Sequence, residues 1–393
     1  MRVLLTGQVG LDKASYAEGV RAECARVGLS LHTVSIGRLI VERAPGRQSE
    51  ATILNLPKNE LQALRAHAWE RLQAAADQAS SQEVFVANSH AVLRWHHGPV
   101  PALELDVLMR FAPDMIVTLI DDVDLIKQGL RERGTDIFQL WELLAWREEE
   151  IYVSRLASEG LARLLGRPIP FYVLPKKQGP QLLARLIADP HAWRAYLSFP
   201  VTGLPDDQRR DVDRFKQRLS QEIVCFDPLA MSERSIVSKA NSLAEEANRS
   251  LRMGLQAMLE AAPPPDNRAW SPHIDDRTAL GLLQFDSGGA PLTGREVLAA
   301  LEAIDSQIIA RDYTLIEQSD ILVAYIPAAL DGSPRISAGS QSEIFYAYHN
   351  GKTVYIVFPG DPQRLSPWVT EFAPGRVFQT VDECLAQLTL RRD

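Results

Sequence analysis

Glu343 closes the segment Ser337-Ala338-Gly339-Ser340-Gln341-Ser342-Glu343, which follows a loop holding Asp331, Gly332 and Ser333 and runs on to His349, Asn350 and Gly351. Asn-Gly is a helix stop, so this pattern puts Glu343 in the first turn of a short helix, where a positive helix end would keep its carboxylate ionised and nucleophilic. Upstream, Arg311-Asp312 and Ser319-Asp320 stand where a helix gives way to the apolar run Ile321 to Ile326. The carboxyl edge of a parallel sheet is the usual ligand crevice. Two acids there can cleave an N-glycosidic bond: one captures or stabilises C1′ as positive charge develops, and the other protonates the departing base. Glu343 suits the first task and Asp312 the second, while Ser337, Gly339 and Ser340 offer hydroxyl and N–H groups to a phosphate or ribose. Asp320 reads first as a structural acid at a strand start and second as a substrate contact. The plain alternative is that Glu343 caps a helix, Asp312 is a surface acid, and the fold binds without reacting.

A second candidate lies at the start of the chain. Leu4-Leu5-Thr6-Gly7-Gln8-Val9-Gly10-Leu11-Asp12-Lys13-Ala14-Ser15 joins a strand to a helix, the setting in which a glycine-rich turn aims backbone N–H groups at phosphate. Against GxxxxGK[ST], Gly7 and Lys13 are kept, but Asp12 replaces the second glycine and Ala14 replaces the metal-binding hydroxyl. A carboxylate repels a triphosphate and alanine offers magnesium no oxygen, so Gly7, Gly10, Lys13 and the late Ser15 describe a worn nucleotide loop. His90, His96 and His97, near Trp95, read as ordinary loop histidines before metal ligands.

The elements that must position these residues are short β-branched runs between helical segments: Arg2 to Thr6, Val84 to Ala87, Met115 to Ile120, Phe171 to Leu174, Ala195 to Phe199, Ile321 to Ile326 and Thr353 to Phe358. This alternation predicts an α/β chain with two doubly wound parallel sheets, and no period of repetition suggests a solenoid. The domain boundary falls near residue 192, giving 1–192 and 193–393, with an insertion at about 230–293. That insertion contains a helical stretch from Ser232 to Leu259, the breaker Ala261-Ala262-Pro263-Pro264-Pro265-Asp266, and Trp270, His273, Asp275, Asp276 and Arg277, which read as a solvated turn before a lid. Met231, Met253 and Met258 read as helix packing.

With 393 residues, 46% of them apolar, the chain is long enough for two or three globular domains. A net charge of −8 argues against a broad duplex nucleic-acid footprint. Cys24, Cys225 and Cys384 form no metal or redox motif and read as core thiols. No apolar stretch approaches a spanning helix, so no membrane partner and a cytoplasmic location are expected by default.

Residues 194–390 resemble the nucleoside 2-deoxyribosyltransferase family, including its nucleotide N-glycohydrolase branch. The likeness is carried by Tyr196-Leu197-Ser198-Phe199-Pro200, Cys225-Phe226-Asp227-Pro228, Arg311-Asp312, Ser319-Asp320, Ser337 to Glu343 and Gly351-Lys352. The resemblance implies a flavodoxin-like fold, Glu343 as nucleophile, Asp312 as acid/base partner, Tyr196 near the sugar or nucleophile, Ser337 as a phosphate or sugar contact and Ser198 beside the substrate. Gln341 and Ser342 replace a glycine and an apolar residue of that pattern. Residues 1–180 resemble adenylate-kinase-like P-loop nucleotide kinases through the loop, Ala87-Asn88-Ser89-His90-Ala91, Ala112 to Val117, Arg131-Glu132-Arg133 as a lid with Arg131 its arginine, and Arg147 to Glu150 leading the last helix. Asn88 stands where those kinases carry an acid.

The expected function is cleavage or transfer of the N-glycosidic bond of a nucleoside, nucleotide or NAD-like substrate. It would need no metal or cofactor, and the first domain would regulate it through ATP or another nucleotide or would scaffold a homo-oligomer. Joining a worn kinase to a nucleotide-destroying domain suggests a stress or antiphage effector. The alternatives are a non-catalytic nucleotide sensor and a bifunctional salvage kinase/transferase.

Overall fold

A computed structural model describes residues 1–44, 46, 53–78, 80, 83–95, 98–201, 203–231, 233–234, 236–243, 245–246, 249, 253, 284–286 and 291–389. The first half comprises β1 (Arg2–Thr6), α1 (Lys13–Arg26), β2 (Leu31–Ser35), α2 (Ile36–Arg43), α3 (Lys58–Gln78), β3 (Val84–Asn88), β4 (Val92–Trp95), β5 (Gly98–Pro101), α4 (Leu105–Phe111), β6 (Met115–Ile120), α5 (Val123–Glu132), α6 (Leu140–Leu165), β7 (Phe171–Pro175) and α7 (Pro180–Ala188). The second comprises β8 (Arg194–Ser198), α8 (Asp206–Glu222), β9 (Val224–Phe226), β10 (Gln284–Asp286), β11 (Pro291–Thr293), α9 (Gly294–Glu317), β12 (Ile321–Tyr325), α10 (Ala338–His349), β13 (Thr353–Val357), α11 (Pro367–Thr370), β14 (Val377–Phe378) and α12 (Val381–Thr389).

These strands form two five-stranded sheets in which every pairing is parallel, ordered β2-β3-β1-β6-β7 and β14-β13-β12-β8-β9. Hairpins β4-β5 and β10-β11 are antiparallel and separate. Parallel strands covered on both faces need apolar side chains on both, which is why the runs read as continuous rather than alternating. Leu4, Phe85 and Ile116 face α2, α3 and α4 through Ile40, Trp69 and Phe111. Val3, Leu5 and Val117 point the other way, into a core that continues unbroken to Tyr196, Ile304 and Ile344 of the second half. Beyond the second sheet, Leu197, Val323 and Tyr355 meet Phe215 of α8 and Leu385 of α12.

The two sheets turn edges toward a shared seam. Val173 N donates to Gln318 Oε1 at 2.8 Å and Gln318 Nε2 donates to Val173 O at 3.0 Å, so a side-chain amide closes the open edge of β7 as another strand would. Arg147 of α6 and Glu233 are both buried and pair through Nη1–Oε1 at 2.5 Å and Nη2–Oε2 at 3.1 Å. Val123 N also donates to Glu233 Oε1 at 3.0 Å, and Arg147 Nη2 to Gln307 Oε1 of α9 at 2.6 Å. The expectation that Arg147 to Glu150 lead the last helix needs correction: α6 starts at Leu140, capped by the Gln139–Glu142 box, and Arg147 lies two turns inside.

Residues 236–243 of the expected inserted helix are helical; Met258, Trp270, His273 and Asp275 to Arg277 lie outside the described residues, as do His96 and His97. Met231 is buried against Ile120 and Val173, whereas Met253 is exposed. The three cysteines are buried and free, and burial pushes the Cys225 and Cys384 thiols up to about 12. Among the described residues, no helix is long and apolar enough to cross a membrane.

Candidate functional site

Tyr196 and Ser198 are two residues apart on β8, so their side chains share a face, and that face meets α10. Tyr196 OH donates to Glu343 Oε1 at 2.9 Å and Ser198 Oγ donates to Glu343 Oε2 at 2.6 Å. Both donors are fully buried. Asp312, near the end of α9, receives Arg311 Nε at 3.1 Å and Nη2 at 2.9 Å, both on Oδ1, while Arg311 Nη2 also reaches Pro228 O at 3.1 Å. Asp227 at the end of β9 is paired with Lys216 at 2.6 Å and adds negative charge toward Asp312.

Burial pushes Glu343 up to about 7; the Asp312 charge adds to the rise, and the Ser198 and Tyr196 hydrogen bonds oppose it. Burial also raises Asp312, against the pull of Arg311. Tyr196 is held well above its ordinary value, first by burial and then by Glu343, so its proton stays on oxygen and the hydroxyl is a donor. Burial raises both carboxyls and the Asp312 charge raises Glu343 further, an arrangement that favours keeping a proton on one acid while the other is ionised.

Two expectations are corrected. Glu343 is not in the first helical turn: Ser337 is the N-cap and α10 starts at Ala338, so Glu343 sits a turn deeper and its charge is set by burial, not by the helix end. Ser337 and Ser340 are not poised for a ligand. Ser337 Oγ accepts Ser340 N at 3.0 Å and contacts Ser340 Oγ at 2.9 Å, and Ser340 is buried, leaving Gly339 as the exposed member. Asp320 follows its first, structural reading rather than that of a substrate contact: it is at the amino end of β12, where Arg194 grips it with Nε at 2.8 Å and Nη2 at 2.5 Å, and braces the opposite edge of the sheet from Ser198. Arg311 and Asp227 belong to the motif pieces but carry no expected role; their part at the site is electrostatic, Arg311 lowering and Asp227 raising Asp312.

In the first half, the loop after β1 lines a cavity of about 390 Å³ with Ser35, Arg65, His90, Phe138 and Trp146. Gly7 and Gly10 are required there: at φ 136° and 99°, a Cβ would lie 2.5 Å from Leu119 O and 2.7 Å from Ile126 O. Lys13 is buried and turned into the loop itself, with Nζ 2.6 Å from Gly7 O, 3.3 Å from Gln8 O and 3.0 Å from His90 Nδ1. Burial and the Lys13 charge lower His90, which favours its neutral ring. Asp12 adopts the left-handed conformation and its carboxylate caps α1 by accepting Ser15 N at 3.4 Å. Ser15 is therefore an exposed capped position, not a lining residue. Arg131 is also exposed and off the cavity; Arg133 lines it instead. Among the described residues, no cluster of three or more His, Cys, Asp or Glu is arranged to hold a metal ion.

No protein-family model matches the sequence, and no curated protein matches it.

Proposed function

We propose that the second half is an N-glycosidase or glycosyl transferase acting on a nucleoside, nucleotide or NAD-like molecule, resembling the nucleoside 2-deoxyribosyltransferase family, with a 2-1-3-4-5 doubly wound sheet. The observation that carries this reading is the buried Glu343 carboxyl held by Tyr196 and Ser198 and raised further by the Asp312 charge. An ionised Glu343 oxygen attacks C1′; the C1′–N bond breaks, its electron pair passes to the base nitrogen, and the Asp312 carboxyl supplies the proton. Water or a second base then attacks C1′, returns a proton to Asp312 and frees Glu343. No cofactor enters these steps. Intact-mass measurement on rapidly quenched reactions should show a sugar adduct on wild type and none on Glu343→Gln; an adduct surviving that substitution would reject the assignment.

The first half regulates this chemistry in the proposed reading. In support, α9 runs 24 residues, about 36 Å at 1.5 Å per residue. Near its start, Glu296 lies 3.1 Å from Lys127, which also donates to Phe138 O at the cavity rim; near its end it supplies Asp312. The cavity itself favours a second reading, a nucleotide sensor without turnover. A ligand that raises the melting temperature yet stays intact after long incubation would select it.

A further inference from the structure

The two donors on Glu343 are unequal in what they imply. The resemblance places Tyr196 near the nucleophile and Ser198 beside the substrate, yet it is the Ser198 hydroxyl that makes the shorter contact to Glu343, 2.6 Å against 2.9 Å. Ser198 is fully buried at the end of β8, beneath α10, and its hydroxyl is engaged by Glu343. We infer that Ser198 is a positioning residue: with Tyr196 it holds both oxygens of Glu343 from the protein side, fixing the rotamer of the carboxylate and stabilising its ionised form. This rests on the glycosidic reading for its catalytic consequence, though not for its effect on Glu343 itself.

The charged and titratable surroundings are few. From β8 comes the Tyr196 hydroxyl, from α9 the Asp312 carboxylate that opposes ionisation and the Arg311 guanidinium that favours it, and beyond Asp312 the Asp227 carboxylate at the end of β9. Ser198 is thus one of two direct hydrogen-bond donors offsetting burial. A donor to a charged acceptor is strong enough that its loss should move the titration of Glu343 up by about one unit.

The test follows the carboxyl of Glu343 by difference infrared titration against Glu343→Gln, in wild type, Ser198→Cys and Ser198→Ala, with unfolding temperature measured alongside. Expected is a graded rise in midpoint, Ala above Cys above wild type, with the acid limb of any base-release profile rising by the same amount and kcat falling at unchanged KM. An unmoved midpoint in a folded Ser198→Ala protein would overturn the inference, as would a raised KM with unmoved midpoint, which would make Ser198 a substrate contact. If wild type releases no base at any pH, the glycosidic reading fails while the titration still decides the role of Ser198.

Discussion

The loop around Lys13 and the side-chain cluster around Glu343 both begin at the carboxyl end of a central strand, yet they treat charge in opposite ways. In the first, the chain satisfies its own groups: Lys13 donates to Gly7 and Gln8 carbonyls and Asp12 caps the first turn that a phosphate would occupy. In the second, burial works against ionisation, and Glu343 titrates near 7 despite two donors. A self-satisfied loop has little left to offer an anion, whereas a buried carboxyl raised to about 7 suits the acid–base chemistry proposed for it.

Breaking the seam that carries both regions should have the largest effect. Arg147→Ala leaves Glu233 buried and without its guanidinium, and should cost about 3–5 kcal/mol in denaturant unfolding; pairing it with Glu233→Leu should recover much of that loss. Next, Glu343→Gln should stabilise the protein in a pH-dependent way. Because the folded value of about 7 lies above the ordinary 4.5, ionisation favours the unfolded chain, and stability falls as pH rises through that window. Melting curves should therefore show no gain for Glu343→Gln at pH 4 and a gain on the order of 2–3 kcal/mol at pH 8. Gln318→Ala, which uncovers the β7 edge, should cost about 1–2 kcal/mol by the same unfolding assay. Smallest is Asp12→Gly: relief of the left-handed backbone outweighs a weak cap, for a gain of about 0.5 kcal/mol, and calorimetry should find pyrophosphate binding that wild type lacks.

The sequence was most legible where burial dictated composition. The seven apolar runs, from Arg2 to Thr6 through Thr353 to Phe358, are all sheet strands with ends shifted by at most one residue. β2, as Leu-His-Thr-Val-Ser, gives no apolar run because three of its five residues are polar and only Leu31 is buried. The β4-β5 hairpin escaped because two prolines interrupt β5. At the site, the residue types were readable but not their partners. The Asn-Gly stop marked the end of α10 correctly, yet its start depended on Ser337 winning the cap, which moved Glu343 inward. Arg131 and Arg133 differ in orientation on the end of one helix, a matter of packing that adjacency in the chain does not decide.

The central claim is that reactivity belongs to Glu343 and not to the phosphate loop. Chromatography of nucleosides, deoxynucleotides, ATP and NAD, incubated with wild type, Glu343→Ala and Lys13→Ala, tests it most directly. Free base from wild type and Lys13→Ala, with release from Glu343→Ala down at least about a thousandfold, is the expected result. Undiminished release from Glu343→Ala, or no release from any of the three, would contradict it.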